Sequence, residues 1–183
     1  MRRRRAPVLA WLGGLGLVVA AGACAPDESS VGAVGRPLPG LVAEYFDGRD
    51  FQRPSGVYQD LNIDFQGSEL NQRVESRGHV DRTLSIRWTG QIELEQPETY
   101  TLYFQLRGRV RLWIDDGLII DDWVDSGVLR EVRGVVPAPG GGWRNLRVDW
   151  DQLAGPMTAR LSDASASQPK AVVPPAGLRH LEP

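Results

Sequence analysis

The chain has 183 residues, room for one domain of ordinary size with length left for a leader and tails. Hydrophobic residues at 42% and charged residues at 24% are the balance of a globular protein with a packed core. The formal charge is −2 overall. Setting aside the first 23 residues, which hold four arginines and no acid, leaves 17 basic against 23 acidic residues. That acidic balance excludes nucleic acid as a partner, because phosphate recognition needs basic patches.

Residues 1–23 have the layout of an export signal, with Arg2 to Arg5 followed by an apolar stretch from Val8 to Ala21. Gly13, Gly14 and Gly16 interrupt the stretch, and it is shorter than the roughly 20 apolar residues a membrane-spanning helix needs. Ala21-Gly22-Ala23 then precede Cys24, the only cysteine. This run resembles the lipobox of bacterial lipoproteins, although alanine stands where leucine is most common. The resemblance implies that Cys24 is acylated and becomes the mature N-terminus. A lone cysteine also means that the domain holds together without an intramolecular disulfide. Residues 24–39, rich in glycine, proline and polar side chains, read as a flexible tether.

From Leu41 onward the apolar residues alternate, which is the signature of strands. Leu84, Ile86 and Trp88 form one set, and Tyr100, Leu102, Phe104 and Leu106 a second. Val110, Leu112 and Ile114 follow, then Leu146, Val148 and Trp150, and then Met157, Ala159 and Leu161. Asp115-Asp116-Gly117 predicts a tight hairpin in which the glycine takes the positive φ. Residues 66–82 are polar, lack alternation, and are expected to form a long surface loop. Many short strands at this spacing predict an all-β fold, an antiparallel β-sandwich with a barrel-like shape, over residues 40–180.

Five segments in order resemble the domain family named after the 14-kilodalton fragment of anthrax protective antigen. Gly40 to Phe46 is similar to its opening strand, and Ser85 to Gly90 to its central signature. Arg111-Leu112-Trp113-Ile114-Asp115-Asp116-Gly117, running on to Trp123, is the strongest match. Gly142 to Trp150 and Met157 to Leu161 resemble its closing strands. The resemblance implies a sandwich used for glycan binding in adhesins and glycosidases, and for protein interaction in toxins. Fold does not choose between those roles.

Calcium-dependent lectins of that family place two consecutive aspartates before the strand that carries the Leu-Trp-Ile-Asp signature. Calcium takes about 6–8 oxygen ligands, two of which a sugar diol can supply. Here the matching positions are Arg107 and Gly108, followed by Arg109, and the second ligand loop contains Asp151 and Gln152. The implied metal site is therefore depleted, and no metal or other cofactor is expected. Two readings of these loops stay open: a solvated arginine pair on a hairpin, or Arg107 or Arg109 paired with Asp151 as a fixed cation, with Trp150 or Trp143 as a stacking surface. These five residues (Arg107, Gly108, Arg109, Asp151 and Gln152) are the candidate ligand-binding set.

Asp115, Asp116, Asp121 and Asp122 fall at a hairpin turn and at the far end of the following strand, which suits turn and solvent roles. His79 and His180 lie in a polar loop and a tail, away from partners for a triad or a zinc site. No carboxylate pair is singled out for glycoside hydrolysis. The expectation is a lipid-anchored, non-enzymatic envelope protein at the cell membrane or outer membrane, facing periplasm or exterior. Its partner is expected to be a glycan bound without calcium, the alternative being an envelope protein.

Overall fold

Side chains that alternate in the sequence alternate in burial, and this builds the sandwich. The computed structural model describes residues 35–67, 83–152 and 156–182, together with Gln72 and Glu75. Cys24, the leader 1–23, the tether up to residue 34 and His79 lie outside the described residues. Strand β5 (Leu84–Leu94) buries Leu84, Ile86, Trp88, Ile92 and Leu94, and β6 (Thr99–Leu106) buries Tyr100, Leu102, Phe104 and Leu106. In β7 (Arg109–Ile114) the buried set is Val110, Leu112 and Ile114, and in β11 (Met157–Ala164) it includes Met157, Ala159 and Leu161.

Among the described residues, the strands form an eight-stranded and a five-stranded antiparallel sheet packed as a sandwich. The path of the larger sheet runs from β1 (Pro37–Pro39) through β13 (Leu178–Leu181), β5, β10 (Gly142–Gln152) and β7 to β8 (Gly117–Asp122). Strand β2 (Leu41–Asp47) also pairs with β5 and carries β3 (Arg53–Asp60) on its other side. The smaller sheet runs β12 (Ala171–Val172), β11, β6 and β9 (Arg130–Pro137), with β4 (Asp64–Gly67) also on β11. Both β2 and β13 share one edge of β5, the first along residues 84–89 and the second along 91–92. Gly90 sits at the handover: a Cβ there would lie 2.5 Å from the Arg179 carbonyl oxygen and 2.7 Å from a Leu41 methyl.

The core is aromatic at its centre. Trp88 lies between Phe65, stacked at 6.2 Å, and Trp150 at 6.3 Å, and all three are fully or nearly fully buried. Buried Asp60 accepts hydrogen bonds from the Trp88 indole and the Tyr45 hydroxyl, both at 2.9 Å. Each aromatic polar tip is thereby satisfied inside the core, as burial demands.

Three local expectations need correction. Pro37–Pro39, assigned to the tether, form an edge strand on β13, so the domain begins earlier than residue 40. Proline lacks the N–H that an inner strand must donate, so this pair belongs at an edge. Gln66 and Gly67, assigned to the surface loop, end β4, where they pair with Thr158 and Met157. In the hairpin between β7 and β8, Asp115 (φ 46°) and Asp116 (φ 68°) take the left-handed conformation, not Gly117. The Ile114–Gly117 pairing makes this a two-residue loop, and positive φ at both central positions is the type I′ turn. Asp115 is held there by β10: its N–H donates to the Asn145 carbonyl at 3.0 Å, and its carboxylate accepts from the Asn145 N–H at 2.8 Å.

Candidate functional site

The site forms at one end of the larger sheet, where three connections meet the end of β10. Antiparallel pairing sets Arg109 of β7 directly opposite Asp151 of β10. The Asp151 side chain is fully buried and that of Arg109 is 11% exposed, and one guanidinium nitrogen lies 2.7 Å from the carboxylate. A charge this deep requires a close partner and further hydrogen bonds. Asp151 gains them from the β2–β3 loop, accepting from the Asp50 N–H at 2.9 Å and from Arg49 Nε at 3.4 Å.

That loop is held in an uncommon shape. Asp50 (φ 60°) and Phe51 (φ 55°) are both left-handed, a conformation that costs of order 1–3 kcal/mol per non-glycine residue. The Asp50 amide is tied to Asp151, and the Phe51 amide donates to Ser85 Oγ at 3.1 Å. Ser85 in turn donates to the Gly48 carbonyl at 2.9 Å. Buried polar groups of two neighbouring strands thus dictate where the loop sits.

The third connection, between β8 and β9, brings Asp125. Its carboxylate pairs with Arg49 and lies 3.7 Å from Arg109 Nε. Arg109 also contacts the Asp50 carboxylate at 2.5 Å, so three carboxylates surround two guanidinium groups. Burial works against the charge on Arg49, but its hydrogen bonds to Asp125 and Asp151 and their fields raise its pKa and keep it cationic. The carboxylates of Asp50 and Asp125 are about half exposed. Beneath them Trp123 carries the guanidinium groups of Arg109 at 4.4 Å and Arg111 at 5.0 Å, and stacks on Phe51 at 6.1 Å.

The five residues expected to bind ligand have different fates here. Arg109 pairs with Asp151, the arrangement of the second reading. Arg107 does not reach Asp151; its side chain donates to the Gly127 carbonyl at 2.6 Å, and its own carbonyl accepts from the Trp150 indole at 2.9 Å. Gly108 (φ 91°) donates to the Ser126 carbonyl at 2.8 Å, and a Cβ there would collide with the Asp151 carbonyl oxygen. This turn therefore anchors the segment that presents Asp125. Gln152 is buried. The stacking surface is corrected: Trp150 is fully buried, and Trp143 lies at the opposite end of β10 under Arg179, so Trp123 is the aromatic of the site.

Sequence reasoning missed Arg49, Asp50, Phe51 and Asp125. The signals available were only Gly48-Arg49-Asp50 between two alternating runs and Asp125-Ser126-Gly127 after Trp123. Among the described residues no group of three or more His, Cys, Asp or Glu is arranged to hold a metal ion. Arg109 stands amid the carboxylates, and Gly108 supplies no side-chain oxygen. This donor set does not fit calcium.

Similarity to known proteins agrees with this architecture. The chain is 33% identical over 135 residues to the anti-sigma-I factor RsgI3 of Acetivibrio thermocellus, a match covering 74% of this chain and 20% of that protein. The chain thus spans about a fifth of that curated relative. An anti-sigma factor domain-containing protein from Clostridium clariflavum superposes with a TM-score of 0.70 at 31% identity, over 80% of this chain and 48% of that one. The PA14 sugar-binding domain from an RTX adhesin shares the fold, with a TM-score of 0.63 at 15% identity, covering 78% and 99% of the two chains. Residues 37–173 match the family described as the PA14 domain, and the chain belongs to that family.

Proposed function

We propose that this protein is a non-enzymatic envelope binding module that takes a neutral glycan, without calcium, at the Arg49–Asp50–Arg109–Asp125–Asp151 cluster. One observation carries the reading: two half-exposed carboxylates are fixed by buried charges beside Trp123. Fixed acceptors suit sugar hydroxyls, and holding them in place before binding reduces the ordering cost. The cluster has one carboxylate more than it has guanidinium groups, which favours hydroxyl donors over acidic sugars. A sugar-binding domain of the same fold supports the ligand class. Acylation at Cys24 would place the module on the cell membrane or outer membrane, facing periplasm or exterior.

A glycan array probed with the full chain, in calcium and again in EDTA, tests this. Binding is expected in both and should be lost in Asp125→Ala. Loss in EDTA alone would overturn the metal-free reading. Silence in both would favour the second reading, an envelope protein partner. Exposed Val124, Val128 and Leu129, on the segment that presents Asp125, support that alternative. Anchoring is checked by Cys24→Ser, expected to move the protein from the membrane to the soluble fraction.

A further inference from the structure

At the other end of the larger sheet a concavity opens beside the β7–β8 hairpin. It encloses about 200 Å³ and is lined by Trp113, Asp116, Asn145, Leu146 and Arg147. Asn145 and Asp151 are six residues apart on β10, so this hollow lies about 20 Å from the loop cluster. Drug-sized ligand sites enclose roughly 300–1,000 Å³, so the hollow admits one ring rather than a chain.

Its lining is held in place from several sides. A β-bulge between Leu112 and Trp113 shifts the register with β8 at the tryptophan, and bulges re-aim side chains in this way. Arg147 stands opposite Trp113 and packs its guanidinium over that ring at 4.7 Å. Two of its nitrogens are fixed on Asp149, at 3.0 and 2.6 Å, while Nη1 makes no hydrogen bond among the described residues. The Asn145 side-chain oxygen accepts from Gln91 at 3.2 Å, leaving its NH₂ to donate to a ligand. Asp115 ties the hairpin tip to the Asn145 backbone, so Asp116 sits at a defined height on the rim.

We infer that the Trp113–Asp116–Asn145–Arg147 hollow is a second carbohydrate site, taking a single neutral pyranose ring. Trp113 lines the apolar side of the ring, Asp116 accepts from a hydroxyl, and Asn145 and Arg147 donate to its neighbour. Asp116 disfavours a carboxylated sugar. The ligand class rests on the glycan reading above, but the site does not share a residue with the loop cluster.

Indole N–H resonances of the ¹⁵N-labelled full chain test it, with Trp113 and Trp123 assigned from Trp113→Phe and Trp123→Phe. The probes are methyl α-D-glucopyranoside, methyl α-D-mannopyranoside and methyl β-D-galactopyranoside. The expected result is a saturable shift of the Trp113 signal with at least one probe, with a dissociation constant on the order of 1–10 mM. Asp116→Ala and Asn145→Ala should each weaken it about tenfold. A Trp113 signal static with all three probes, or a shift indifferent to both variants, overturns the site. A moving Trp123 signal beside a static Trp113 signal would sink this inference and leave the loop-end reading standing. The reverse pattern would support the hollow and count against the loop end.

Discussion

The loop-end cluster and the outer face of the larger sheet are both built from arginine and aspartate, but they are assembled in different ways. On the sheet face, pairing sets Glu44, Arg87, Asp149, Arg111 and Asp121 opposite one another across β2, β5, β10, β7 and β8. The result is a five-strand row of alternating charge, with Arg87 on Asp149 at 2.9 Å and Arg111 on Asp121 at 2.8 Å. Strand register alone brings these residues together. The loop end instead gathers side chains that lie 102 positions apart, such as Arg49 and Asp151, around a fully buried carboxylate. Register produces repeated, partly screened pairs, whereas a buried charge draws the loops that must satisfy it.

Substitutions can break this contrast. Asp151→Ala strips the nearly buried Arg109 of its enclosed partner and should cost about 3–5 kcal/mol in urea unfolding. Asp149→Ala removes an acceptor shared by Arg87 and Arg147, which keep 27% and 45% of their side-chain exposure, and should cost about 1.5–3 kcal/mol. Arg111→Ala loses a pair with both partners at least 40% exposed and should cost under about 1 kcal/mol. If Asp151→Ala cost no more than Arg111→Ala, the distinction between the two regions would be wrong.

Acid titration sharpens the comparison within the row. Burial pushes the Asp149 carboxyl up, but hydrogen bonds from Arg147 and Arg87 outweigh it and hold the group below its ordinary 3.8. A depressed folded pKa contributes stability that is present in full above the unfolded value and lost as pH falls through the folded one. The stability gap between wild type and Asp149→Asn, measured at pH 7 and pH 3, should therefore narrow at pH 3.

Asp163 of the smaller sheet provides the opposite sign and the smallest effect. Burial raises its carboxyl above 3.8 despite an opposing backbone hydrogen bond. The folded state favours the protonated form, so this group's cost sets in as pH rises through the unfolded value and is complete above the folded one. Asp163→Asn should stabilise at pH 7 by on the order of 0.5 kcal/mol. That gain should vanish below about pH 4, where both states are protonated.

Much of the architecture was legible in particular residues. The period-two runs at 84–88, 100–106, 110–114, 146–150 and 157–161 located five strands and their core faces, because a pleated backbone sends alternate side chains to opposite sides. The turn at Asp115 was placed by composition, but which residue took positive φ depended on Asn145 of another strand. The Arg109–Asp151 pair could be anticipated because both residues stand at the ends of strands that pair in register.

What the sequence by itself determined was therefore five of the strands and their inward faces. Tertiary structure alone decided that Arg49, Asp50 and Asp125 join Asp151, and that Trp123 rather than Trp143 or Trp150 lies beside them. The reason is physical. Alternation is local and repeats every two residues, but loop conformation is settled by whichever distant groups must be neutralised when the sheet buries Asp151.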